Sequence, residues 1–105
     1  MEAVSVDTSR EGTFLVTLRG EIDFTNAAET HKAIRAALAG RQPGLVLVDV
    51  AEVTFLDSTG IGVLVDAMRA AGEVQAGFRV ENPTPKVYDQ LRMTGLLAAF
   101  GVAQR

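Results

Sequence analysis

Asp57, Ser58 and Thr59 stand together in the stretch VTFLDSTGIGVLVD, Val53 to Asp66, with Gly60 and Gly62 close behind them. A carboxylate beside two hydroxyls can start a helix, act as a catalyst, or accept a group brought by another protein. Asp, Ser and Thr are favoured N-caps because a side-chain oxygen accepts a free backbone N–H of the first helical turn. One cap needs one such residue, and here there are three. Gly60 and Gly62 also fall inside the expected first turn, where each glycine costs about 1 kcal/mol relative to alanine. A surface that a partner's backbone approaches closely explains bare glycines; a capping motif alone does not.

Catalysis by the chain itself fails residue by residue. A serine hydrolase uses G-x-S-x-G with a histidine base. Ser58 instead lies in LDSTG, and the single histidine, His31, falls on the apolar stripe of an expected helix, which suits a partly buried structural role. DSTG carries one residue too many for the D-[ST]-G of an aspartic protease, and no phosphate-binding G-x-x-x-x-G-K-[ST] occurs. The absence of cysteine excludes disulfides, Cys-based zinc sites and thiol chemistry, and one histidine rules out a His-rich metal site. No cofactor is expected, and the chain is not read as an enzyme.

What remains is Ser58 as a substrate. A phosphoryl group adds about −1.5 to −2 charges. The helix dipole and the free N–H groups of a helix N-terminus tolerate an anion there. Beside Asp57, a phosphate concentrates negative charge in one patch and changes the surface that a partner meets without unfolding the domain.

The elements that must position this cluster follow from hydrophobic periodicity. Val4 and Val6 alternate with polar residues as in a half-buried strand; REGT turns the chain, and Phe14 to Gly20 reads as the second strand of a hairpin. From Thr25 the period becomes helical, with Ala27, Ala28, His31, Ile34 and Leu38 on one face. Thr25 or Asn26 can cap the start, and Gly40 with Pro43 stops the helix. GLVLVDV, Gly44 to Val50, is almost wholly apolar, as in a central parallel strand, and AEVTFL is expected to be the loop leaving it. Ser58 to about Ala71 is helical with Gly72 as C-cap; Phe78 to Glu81 is a short strand; Pro85 opens a helix that Gly95 ends; and LLAAFGV is expected to be a last strand. Strands alternating with helices imply an α/β fold, a single mostly parallel sheet with an N-terminal β-hairpin and packed helices. The cluster then sits where open α/β sheets place their sites, beyond the carboxyl end of a strand.

The 105 residues make one domain over 1–105, and 48% apolar with 22% charged residues fits a globular chain. A net charge of −3 with scattered Lys and Arg argues against nucleic acid or a membrane surface as partner. The apolar runs are too short to span a bilayer and no basic leader precedes one, so a cytoplasmic location is expected.

Three segments resemble the single-domain anti-sigma factor antagonists of bacteria, members of the STAS group. GEIDFTNA, Gly20 to Ala27, is similar to that family's lead into its first helix. LVLVDVAEVTFLDSTGIGVLV, Leu45 to Val65, is similar to its central strand and phosphorylation loop. NPTPKVYDQLRMTGL, Asn82 to Leu96, is similar to its proline-bearing turn, helix and TGL ending. AGEVQAGFRVEN departs by lacking the double glycine often found before that strand. The resemblance implies a partner that is both an anti-sigma factor and a serine kinase, which this chain binds so that a sigma factor is freed. It implies phosphorylation at Ser58 rather than Thr59, release of the phosphorylated form, and a separate metal-dependent serine phosphatase that restores it. Asp23 and Asp57 match the family's motif aspartates. The expected binding surface joins the loop of Asp57, Ser58, Thr59, Gly60 and Gly62 to Asp66 and Arg69 on its helix, and to Asp23, Phe24 and Thr25 in the GEIDFT turn. Phe24 and Phe55 are each expected to be core residues before exposed anchors.

Two other readings stay open at this stage. LVLVDV is also similar to the third strand of a phospho-aspartate receiver with Asp49 as acceptor, although Asp7 lacks the adjacent acid such receivers use. A STAS binding module that is never phosphorylated and works within a larger assembly is the second. Ser58→Asp weakening partner binding while Ser58→Ala preserves it distinguishes the switch from that module.

Overall fold

Alternation along the strands decides which face of the sheet becomes core. The computed structural model describes residues 3–7 and 12–102. Its strands are β1 (Val4–Asp7), β2 (Thr13–Ile22), β3 (Leu45–Leu56) and β4 (Gly77–Glu81), and its helices are α1 (Ala27–Leu38), α2 (Ser58–Glu73) and α3 (Pro85–Met93). The sheet order is β1-β2-β3-β4, with β1 antiparallel to β2 and the other two pairings parallel. This is the expected mostly parallel sheet with an N-terminal antiparallel pair. Arg10 and Glu11 of the connecting turn lie outside the described residues, and Gly12 beside them has φ +77°.

Phe14 pairs with Val46 and Val16 with Val48, which in turn faces Val80, and all five are buried on one face. Each fully buried side chain of this size contributes about 1.5–3 kcal/mol. α1 and α2 supply the two parallel crossovers and pack on each other, adding Ile34, Leu38, Val63, Leu64 and Ala67 to the same core. An acceptor on the sheet's end therefore sits on a well-anchored base.

The receiver reading does not survive this topology. Receivers carry an all-parallel sheet in 2-1-3-4-5 order, whereas here β1 is an antiparallel edge next to β2. Asp49 is also committed structurally: its carboxylate accepts the Ala51 N–H at 2.8 Å and an Asn82 side-chain N–H at 3.3 Å, tying the end of β4 to β3.

Several boundaries depart from expectation. AEVTFL is strand rather than loop, because β3 continues to pair with β2 through Ile22 and Leu56. It does so with register shifts between Thr17 and Arg19 and between Gly20 and Glu21, which break the two-residue period that announces a strand. Gly72 lies inside α2; the C-cap is Val74, and the chain reverses at Gln75, φ +60°. LLAAFGV forms turns, with Phe100 N–H on Leu96 O at 3.0 Å and Val102 N–H on Leu97 O at 2.9 Å. This tail still serves the sheet: Phe100 O accepts the Val80 N–H at 2.8 Å, and its ring meets Phe78 edge-on with centroids 5.8 Å apart. It covers backbone at the outer edge of β4, a position from which strands otherwise recruit other chains.

β2 and β3 thus run on past the end of β4 as a two-stranded extension, leaving one edge of β3 bare. Gln90 of α3 fills that gap. Its amide donates to Leu56 O at 2.6 Å and accepts from Leu56 N–H at 3.4 Å, much as a neighbouring strand does. Thr84 caps α3 by accepting the Val87 N–H at 3.2 Å, and Val87 and Leu91 bury its apolar face. Gln90→Leu leaves both Leu56 groups unpaired and is expected to destabilise the domain by about 1–3 kcal/mol; urea unfolding with an unchanged slope checks this.

Candidate functional site

The extension ends in two loops that meet. β2 passes through Asp23–Asn26 into α1, and β3 passes through Asp57 into α2. Asp57 is the N-cap of α2 in extended conformation, and its carboxylate is shared between both loops. One oxygen accepts the Gly60 N–H at 2.8 Å and the Thr59 hydroxyl, and the other accepts the Phe24 N–H at 3.1 Å. The Thr59 hydroxyl and the Gly60 N–H, with Phe24 adding to them, hold the Asp57 carboxyl below the ordinary aspartate range.

The turn on the other side is closed by its own side chains. Asp23 accepts the Thr25 N–H at 2.9 Å and the Thr25 hydroxyl. Asn26 holds the N-cap position of α1, yet its side chain does not cap the helix: it accepts the Asp23 N–H at 3.0 Å and donates to Glu21 O at 2.8 Å. Thr25 does not cap α1 either, since its hydroxyl is given to Asp23.

Against this background the two hydroxyls differ. Ser58 is exposed at the first residue of α2, whereas the Thr59 hydroxyl is bound to Asp57. The two glycines differ as well. A Cβ on Gly60 falls 2.0 Å from Ile22 O, so the first turn of α2 lies directly on the end of β2. A Cβ on Gly62 meets nothing within 4 Å. Gly60 is bare for the fold; Gly62 has no internal reason to be.

The expected helix-surface pair also divides. Arg69 is exposed. Asp66 is turned into the seam between α1 and α2, where Arg35 binds it with two hydrogen bonds, at 3.0 and 3.1 Å, and binds Glu73 with two more, at 2.9 and 3.2 Å. His31 places Nδ1 against the same Asp66 carboxylate, so this partly buried histidine is a member of the network. Asp66 first and Glu73 second raise the Arg35 pKa further, and Arg35 in return lowers that of Glu73.

The two phenylalanines expected in the core are outside it. Phe24 is 78% exposed, and Phe55 is exposed with the Lys86 ammonium 5.1 Å from its ring centroid. The bulges in β3 explain Phe55, since they turn the strand's apolar residues off strict alternation. What sequence reasoning missed is Arg35, whose role depends on two carboxylates 31 and 38 positions away. Gln90 was missed for a similar reason, as its partner lies 34 positions away.

Gly60→Ala is expected to destabilise by about 1–3 kcal/mol or more through the backbone clash, and Gly62→Ala to be neutral or stabilising by up to about 1 kcal/mol. Equal effects of the two in chemical denaturation contradict this division. Asp57 also sets a pH response. A carboxyl held low in the folded state contributes stability that is present above its unfolded pKa and is lost as pH falls through the folded pKa. The Phe24 and Gly60 amide resonances should therefore titrate with a midpoint below about 3.9, the ordinary aspartate value.

A sequence profile of the STAS domain matches residues 6–105. The anti-sigma-B factor antagonist of Listeria monocytogenes is 29% identical over 82 residues, covering 77% of this chain and 70% of that protein. An anti-sigma factor antagonist from Mycobacterium paratuberculosis matches with TM-score 0.80 and 30% identity, over 92% of this chain and 80% of its own. The Bacillus cell fate determinant SpoIIAA, in its phosphorylated form, shares the fold with TM-score 0.72 at 21% identity, over 93% and 87% of the two chains. With the profile spanning β2 to β4, all three helices and the Asp57–Ser58 junction, the chain belongs to the STAS domain family.

Proposed function

We propose that this protein is an anti-sigma factor antagonist: it binds an anti-sigma factor that is also a serine kinase, frees a sigma factor, and is released when Ser58 is phosphorylated. A serine phosphatase then returns it to the binding form. The observation that carries this reading is the contrast between the two adjacent hydroxyls. Ser58 is exposed at the N-terminus of α2, while Thr59 spends its hydroxyl on Asp57. A kinase meets one free hydroxyl at this junction. The named relatives are anti-sigma factor antagonists, and SpoIIAA is known in a phosphorylated form, which supports the same reading.

The physics of release follows from position. A phosphate at the first residue of α2 lies in the favourable end of the helix dipole, so the fold tolerates it. It also stands next to Asp57, whose carboxyl is held in its ionised form, and raises the negative charge at this junction. Like charges added at an interface weaken binding through repulsion and desolvation. Gly62, exposed and one helical turn beyond Ser58, leaves room for a partner's backbone.

Incubation with the cognate kinase and ATP should add one phosphate by intact mass, located at Ser58 and absent from Ser58→Ala. Ser58→Ala should keep its affinity for the anti-sigma factor, and Ser58→Asp should lose it at least severalfold. Phosphate transferred equally to Ser58→Ala, or equal affinities of the two variants, contradicts the proposal.

A further inference from the structure

We infer that Phe24 is the apolar anchor by which the anti-sigma factor kinase seats this protein, an inference that rests on the function proposed above. Three large apolar side chains stand out as exposed among the described residues: Phe24, Phe55 and Met93. Lys86 lies over Phe55. Met93 ends α3 and has no hydrogen-bonded link to the acceptor loop. Phe24 has such a link, because its N–H is held by the carboxylate of the residue that precedes Ser58.

The ring is exposed on a fixed platform. On one side Asp23 is tied to Asn26 and Asn26 to Glu21; on the other, Ala27 N–H donates to Asp23 O at 2.8 Å; and Asp57 holds residue 24 itself. Nothing in the domain's own packing explains an aromatic ring at 78% exposure in so constrained a turn. An aromatic side chain on a backbone that is already ordered costs less conformational entropy to dock than one on a mobile loop, and aromatic residues contribute strongly to interface energetics. A surface that brings a phosphoryl donor to Ser58 also covers the turn hydrogen-bonded to Asp57. The occupant is therefore the kinase itself. Its complementary feature is an apolar pocket that receives the ring, set beside the Asp57 carboxylate that holds residue 24.

Calorimetric titration of the purified cognate anti-sigma factor tests this. Phe24→Ala should weaken binding at least tenfold, Phe24→Gln should behave alike, and Phe24→Leu should restore most of the affinity. The KM of the kinase for the protein should rise with the same ranking. Met93→Ala should stay within twofold of the parent, and the melting temperatures of the Phe24 variants should match it, because the ring is outside the core. If the parent binds and Phe24→Ala binds within twofold of it, the anchor is wrong while the proposed function stands. If the parent does not bind at all, both are wrong.

Discussion

One carboxylate joins the two loops that matter here. Asp57 receives the Gly60 N–H and the Thr59 hydroxyl from its own helix and the Phe24 N–H from the turn before α1. A neutral cap has fewer acceptor positions and draws donors less strongly than an ionised one. The arrangement does three things together: it starts α2, it occupies the neighbouring threonine, and it fixes the turn that carries Phe24. Ser58 is what this constellation leaves unoccupied, an exposed hydroxyl in a setting that is otherwise tied down.

The rest of the fold gives that junction its rigidity. β2 and β3 outrun β4, and their extension would end in bare backbone without Gln90 against Leu56. Gly60 lets α2 begin in direct contact with Ile22 O, which also accepts the Asp57 N–H at 3.3 Å. Behind these, Arg35 links α1 to α2 through Asp66 and Glu73. A phosphate added at Ser58, as proposed, would meet a framework that has little reason to rearrange, and would act on the surface of the domain. That is consistent with a switch driven by charge.

Much of this was legible in the residues, and the failures have physical causes. Period-two alternation in Val4–Asp7 and Phe14–Leu18 and the apolar run of Leu45–Val50 announce their strands, while the helical spacing of Ile61, Leu64, Val65 and Met68 announces α2. Of these four only Leu64 is fully buried, and the core face also takes Val63 and Ala67. The cluster at Asp57–Gly62 could be located because capping chemistry is local in sequence. AEVTFL misled because two register shifts erase alternation, and LLAAFGV misled because an apolar run signals burial without specifying strand or turn. Asp66 looked outward on a helical wheel, yet the direction of its side chain is set by Arg35 on another helix. Phe24 looked like core on composition alone. Its backbone N–H is held by a carboxylate 33 positions away, which no local pattern records.

The most direct test compares one protein in two chemical states. Unmodified protein and protein phosphorylated stoichiometrically at Ser58 are titrated with the same anti-sigma factor, and both are melted in parallel. The account requires the phosphorylated form to bind at least tenfold more weakly while its melting temperature and circular dichroism stay close to those of the unmodified form. Equal affinities contradict it, and so does a loss of binding that comes only with a loss of folded structure.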